Sequence, residues 1–233
     1  QISALASISV NERCRSVLFN GQTRAGHLKW SKNYYEGASP ELMSLIPADT
    51  HTVLSYGCGS GEIETEMARK GIAVTAVPMD SVIGLCVEAR GVEVVYGDSG
   101  AIYTKLAGRQ FDCIVLSNLL HLIPEPEILL SSLAGLLSPH GAVIASVPNL
   151  ARLSVLGHRI SRNPLYRGLG RYAQSGLHLA SFRRVRRWFA RADLRVVKTV
   201  SSVPERPRWL YRLGGRLMDG SLAEDFSVLA RRA

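Results

Sequence analysis

The residues best suited to chemistry lie in one short run, Val53-Leu54-Ser55-Tyr56-Gly57-Cys58-Gly59-Ser60-Gly61. An apolar stub leads into glycines at alternate positions, and Glu62 to Lys70 follows with the composition of a helix. Without Cβ atoms, such a turn lets backbone approach a bound ligand closely. The spacing is not that of a dinucleotide site, which needs G-x-G-x-x-G, because Glu62 stands where the third glycine would be. The acidic residues Glu62 and Glu64 open the helix, and they would compete with a pyrophosphate there. No G-x-x-x-x-G-K-[ST] run occurs in the chain. The turn therefore suits a ligand with a cationic, amino-acid-like end and a ribose better than one carrying phosphates. The plainer reading is an ordinary glycine turn between strand and helix.

The four cysteines, Cys14, Cys58, Cys86 and Cys113, form no C-x-x-C pair and have no histidine at metal-ligand spacing. Cys58 and Cys113 read as small buried or half-buried residues in a reducing, cytoplasmic compartment, and no metal site is expected.

The elements that must position these residues alternate along the middle of the chain. Strands are predicted at Thr52–Tyr56, Ile72–Val77, Val92–Tyr96, Phe111–Leu116 and Gly141–Val147. Helices are predicted at Gly61–Lys70, Ser81–Arg90, Ser99–Ala107 and Pro126–Leu137. A helix over Ser181–Ala192 and strands at Leu194–Val200 and Phe226–Ala230 complete the pattern, and His140 reads as part of a turn. Short strands separated by helices imply βαβ units and a parallel sheet covered on both faces. Two inserts interrupt the tail, at about 148–179 and 203–222, and both are expected to cap the site. Residues 1–50 are expected to form a helical lid or lead-in, with one domain over 51–233. Because the chain begins with Gln1, its native start is expected upstream. No run approaches the roughly 20 apolar residues of a membrane-spanning helix.

Charge is divided unevenly. Residues 1–150 carry a net charge of −4 and residues 151–233 carry +13, with arginine supplying all but one of the latter's cations. Such asymmetry suggests an anionic partner, since arginine suits bidentate contact with phosphate or carboxylate. A basic solvated face is the bland alternative. The run Phe182-Arg183-Arg184-Val185-Arg186-Arg187-Trp188-Phe189 places its apolar residues on one helical face, which favours docking on the sheet with the arginines in solvent. Arg206 to Met218 mixes arginine with Trp209, Tyr211 and leucine. That mixture suits a peripheral membrane contact or, less favoured, an RNA surface.

Taken in order, these residues resemble the S-adenosylmethionine-dependent methyltransferases of the Rossmann-like, seven-stranded class. The marks are Val53 to Gly61, Asp80 after the second strand, Gly97-Asp98-Ser99 after the third, and Phe111 to His121, followed by Leu137-Ser138-Pro139-His140-Gly141. The resemblance is best over Tyr34 to Asn149. It implies a three-layer αβα sandwich whose mostly parallel sheet has an antiparallel last strand. It also implies a cofactor-binding set of Tyr56, Gly57, Cys58, Gly59, Gly61, Asp80, Asp98, Ser99, Ser117 and Asn118. Within that set, backbone at Gly57 and Gly59 would meet the methionine moiety and ribose. Asp98 would accept from the adenine amino group with the Ser99 backbone nearby, and Ser117 and Asn118 would lie beside the methyl group. The chain departs from the family twice. Members usually carry an acid where Ser55 stands, to hold the amino end of the cofactor, and a ribose carboxylate where Pro78 stands. Asp80 would serve the ribose if the chain stays extended, because alternate residues of a strand point the same way.

Methyl transfer needs alignment and exclusion of water, and a general base only when the acceptor must lose a proton. His121, just past the fourth strand, and His178, closing the first insert, are the catalytic candidates, each set against a structural hydrogen bond or a loop position. Tyr34, Tyr35 and Tyr172 are candidate lid aromatics. The expected activity is O-methylation of a small-molecule or glycan acceptor, anionic or lipid-linked. An RNA methyltransferase and a non-catalytic member of the fold are the rivals. Ser117-Asn118-Leu119-Leu120 replaces the Asn/Asp-Pro-Pro-Tyr run of amino-directed nucleic-acid enzymes, which counts against base N-methylation.

Overall fold

The computed structural model describes residues 37–151, 155, 172–202 and 223–233. Short capped helices and apolar strands alternate from α1 (Pro40–Met43) through β1 (Thr52–Cys58), α2 (Glu62–Arg69), β2 (Ala73–Pro78), α3 (Ser81–Glu88) and β3 (Glu93–Val94). They continue with α4 (Ser99–Leu106), β4 (Phe111–Leu116), a 3₁₀ turn (Leu120–Leu122), α5 (Pro126–Ala134) and β5 (Leu137–Pro148). The described tail holds α6 (Tyr172–Ser175), α7 (Phe182–Arg191), β6 (Leu194–Ser202) and β7 (Asp225–Arg232).

The seven strands form one sheet in the order β3-β2-β1-β4-β5-β7-β6. β7 runs antiparallel to both of its neighbours, β5 and β6, and the remaining pairings are parallel. Alternate residues feed opposite cores. Leu54, Tyr56, Ile114 and Leu116 join the cluster containing Leu130, Val185 and Phe189, while Val53, Cys113 and Val115 join the one containing Leu42, Ile63 and Met67. Burial on both faces explains why β1 and β4 read as continuous apolar runs. The basic run forms α7 as expected, with Val185, Trp188 and Phe189 buried.

Several boundaries differ from expectation. The third strand is only Glu93–Val94 rather than Val92–Tyr96, paired with Thr75 and Ala76 of β2 at the sheet edge. The fifth helix ends at Ala134, and β5 begins at Leu137, which pairs with Phe111. His140 thus lies inside a strand and not a turn. Among the described residues no helix is long and apolar enough to cross a membrane.

Candidate functional site

The strand order reverses between β1 and β4, and the crevice outside the carboxyl ends of such a pair is where open α/β sheets bind ligands. The glycine turn sits there. Gly57 has φ +78°, and a Cβ on it would fall 2.7 Å from Leu119 Cδ2. Gly61 caps α2 with φ +90°, and a Cβ there would meet the Val87 backbone at 3.3 Å. These two glycines are thus demanded by chain direction and by packing. Gly59, between them, is half-buried and lines a cleft with Ser55, Ser60, Glu64 and Ser117. Tyr56 and Cys58 are buried in β1 on either side of Gly57.

Both predicted carboxylates cap helices that begin on this same edge. Asp80 is extended (φ −151°, ψ 166°), and its Oδ1 accepts from Ile83 N–H at 2.8 Å at the start of α3. Asp98 Oδ1 accepts from Ala101 N–H at 2.8 Å at the start of α4. A carboxylate has two oxygens and about four lone-pair sites, so capping leaves acceptor capacity for a ligand. Ser99 follows as the first residue of α4. Three helix N-termini, those of α2, α3 and α4, therefore converge at one sheet edge with acids in or before their first turns. The acids offset the positive helix ends, leaving an edge suited to a ligand of mixed charge.

At the end of β4, Ser117 Oγ lies 3.2 Å from Ser146 Oγ. Asn118 is left-handed (φ 44°), and its N–H donates to Ser146 O at 3.1 Å and Ser146 Oγ at 3.0 Å. The bond fixes β4's exit against β5. The two histidines are neighbours: the buried His121 accepts through its carbonyl from His178 N–H at 2.9 Å. His178 Nε2 lies 2.9 Å from Ile123 O and 3.0 Å from Pro124 O. Two carbonyl partners require a donor, so the proton is on Nε2 and Nδ1 carries the lone pair. The ring also stacks on Tyr172 at 4.5 Å and meets the edge of Trp188 at 5.2 Å. Burial is the largest influence on His178 and lowers its pKa; the two carbonyl contacts act in the opposite sense and do not cancel it. Both histidines therefore have structural contacts that tie the end of the first insert to the 3₁₀ turn.

The Methyltransferase domain family matches residues 30–199. The chain belongs to that family. An uncharacterized methyltransferase of Mycobacterium tuberculosis is 29% identical over 116 residues, covering 49% of this chain and 58% of its own length. The ubiquinone biosynthesis O-methyltransferase of Azotobacter vinelandii is 32% identical over 126 residues, covering 50% of this chain and 54% of its own. The chain thus spans little more than half the length of the curated relatives it matches. Among solved structures, a SAM-dependent methyltransferase from Thermotoga maritima shares the fold with TM-score 0.58 at 14% identity, over 83% of this chain and 86% of its own. Magnesium protoporphyrin IX methyltransferase from Synechocystis, with bound SAH, gives TM-score 0.52 at 14% identity over 78% of this chain and 73% of its own.

The residues of this methyltransferase domain fit the family's cofactor. Ser60 Oγ is buried in the turn with no hydrogen-bond partner among the described residues, a polar atom that a ligand in the cleft can satisfy. Glu64, 3% exposed, brings a carboxylate to the same cleft. Neither stands in the cofactor-binding set expected from the sequence. The signal for Glu64 was available: it shares a helical face with Met67, three residues on, and an acid on an apolar face needs a reason. Tyr34, Tyr35, the 203–222 insert with Arg206–Met218, and most of the 148–179 insert lie outside the described residues.

Proposed function

We propose that this domain is an S-adenosylmethionine-dependent methyltransferase that O-methylates a small-molecule or glycan acceptor, anionic or lipid-linked. The observation that carries the cofactor reading is the cleft between β1 and β4, where Gly59, the buried Ser60 hydroxyl and Ser117 face one space. Oxygen as the acceptor atom is supported by the Azotobacter relative, an O-methyltransferase. The anionic character is supported by the +13 net charge of residues 151–233.

When bound, the cofactor supplies an electrophilic methyl group on sulfur. The chain's own residues bind, orient and exclude water. In this reading Asp98 would accept from the adenine amino group beside the Ser99 backbone, Asp80 would accept from the ribose, and the turn from Tyr56 through Gly61 would lie against the methionine end. Ser117 and Asn118, held to Ser146, would border the methyl group. A hydroxyl acceptor must lose a proton, and His178 is suited to take it, since its Nδ1 lone pair is retained and burial keeps the ring neutral near pH 7. His121 is the alternative base from the same corner of the fold. Cytoplasmic location and peripheral membrane contact through the basic third belong to the same proposal.

Mass spectrometry of ligand retained by the purified protein, followed by an acceptor screen that detects demethylated cofactor, tests the assignment. Turnover with a hydroxylated small molecule or glycan supports it. Salt-sensitive RNA binding with methyl transfer to RNA would replace it by the rival. Under the base assignment, His178→Ala lowers kcat and leaves affinity for demethylated cofactor unchanged; loss of thermal stability alone would make His178 only a tether.

A further inference from the structure

Helix α2 carries three acids, and they divide by environment. Glu62 is exposed and ion-pairs with Arg90 at 2.7 Å. Glu66 lies 3.8 Å from both Arg69 and Lys70 at the surface. Glu64 instead turns inward: it is 3% exposed, lines the cleft at the glycine turn, and accepts a hydrogen bond from the hydroxyl of Ser55 on β1. The cleft is therefore lined by a carboxylate, the group that meets a ligand's ammonium by charge and hydrogen bond together. Its seat in the first turn of α2 favours the charged form through the helix dipole. The Ser55 hydroxyl fixes its direction, and a carboxylate has about four lone-pair sites, so the bond from Ser55 does not exhaust it.

We propose that Glu64 is the anion that holds the ammonium group of the cofactor's amino-acid end, with Ser55 as its positioning residue. The carboxylate missing from position 55 is thus supplied from α2, across the Ser55–Glu64 hydrogen bond. The inference rests on the cofactor reading of the cleft, and ligands that share the adenosyl group but differ in the amino-acid end separate the two.

The test measures affinity of wild type and Glu64→Gln for S-adenosylhomocysteine and for methylthioadenosine, which has no amino-acid end. Glu64→Gln is expected to weaken S-adenosylhomocysteine by about ten- to a hundredfold and to leave methylthioadenosine within about twofold of wild type. Ser55→Ala should move in the same direction by less. Equal losses for both ligands, or none for either, would overturn the role of Glu64 while leaving the cofactor site standing. Wild type binding neither ligand would overturn both. If Glu64→Gln does not fold, a crystal structure of the wild-type chain with S-adenosylhomocysteine decides. An amino group hydrogen-bonded to Glu64 supports the assignment, and one held by other groups overturns it.

Discussion

The two edges of the sheet treat polar groups differently. At the amino edge most of them satisfy one another, although Thr50 Oγ1 is buried there with no partner among the described residues. Asp112 Oδ2 accepts from His51 N–H, Thr52 N–H and Thr52 Oγ1, each at 3.0 Å, and Ser138 donates to Oδ1 at 3.3 Å. Arg109 grips Glu93 with two bonds of 2.8 and 2.9 Å while also reaching Thr75. The carboxyl edge holds a buried serine hydroxyl with no partner among the described residues, an inward glutamate and a left-handed asparagine. Size points the wrong way. The hollow at the amino edge, about 520 Å³ and lined by Thr75, Glu93 and Arg109, is larger than the cleft at the glycine turn. What distinguishes the carboxyl edge is that its buried unpartnered hydroxyl, Ser60, lines a cleft together with a buried carboxylate.

Breaking the working edge should produce the largest effect. Gly57→Val forces a branched side chain into φ +78° and into Leu119. It should cost about 3 kcal/mol or more in urea unfolding and abolish S-adenosylhomocysteine binding in calorimetry.

Breaking the quiet edge should cost stability alone. Asp112→Ala should destabilise by about 2–3 kcal/mol with ligand affinity unchanged. Burial is the largest influence on Asp112 and raises its pKa, but the bonds from His51, Thr52 and Ser138 together outweigh it and hold the carboxyl below its ordinary value. A depressed carboxylate stabilises the fold above its unfolded pKa and loses that contribution as pH falls through the folded one. Urea unfolding should therefore show the gap between wild type and variant narrowing below about pH 4.

Asp98→Ala sharpens the contrast because Asp98 belongs to both accounts. Removing its cap should cost only about 1 kcal/mol in thermal unfolding. Loss of its proposed contact to adenine should weaken S-adenosylhomocysteine by about tenfold or more. The smallest effect is expected from Arg109→Ala, whose partly exposed pair with Glu93 should be worth about 1 kcal/mol or less in the same unfolding assay, without change in binding.

The parallel sheet was legible because strands buried on both faces leave unbroken apolar runs such as Phe111–Leu116, which matches its expected limits. The short strand β3 was not, since Val92 to Tyr96 carries the same residue types but only Glu93 and Val94 pair with β2. At the site, the glycine spacing was readable, whereas the Ser55–Glu64 contact joins two elements and exists only once α2 folds back on β1. Asp80 and Asp98 stood out as acids after strands, but their capping of Ile83 and Ala101 depends on where each helix begins. His178 read as a catalytic candidate closing the first insert; its carbonyl contacts come from Ile123 and Pro124, more than fifty residues away.

Calorimetric titration of the purified chain with S-adenosylhomocysteine tests the central claim most directly. One-to-one binding in the micromolar range, lost in Gly57→Val and kept in Asp112→Ala, is the predicted result. Absence of binding by wild type at millimolar ligand would contradict the account.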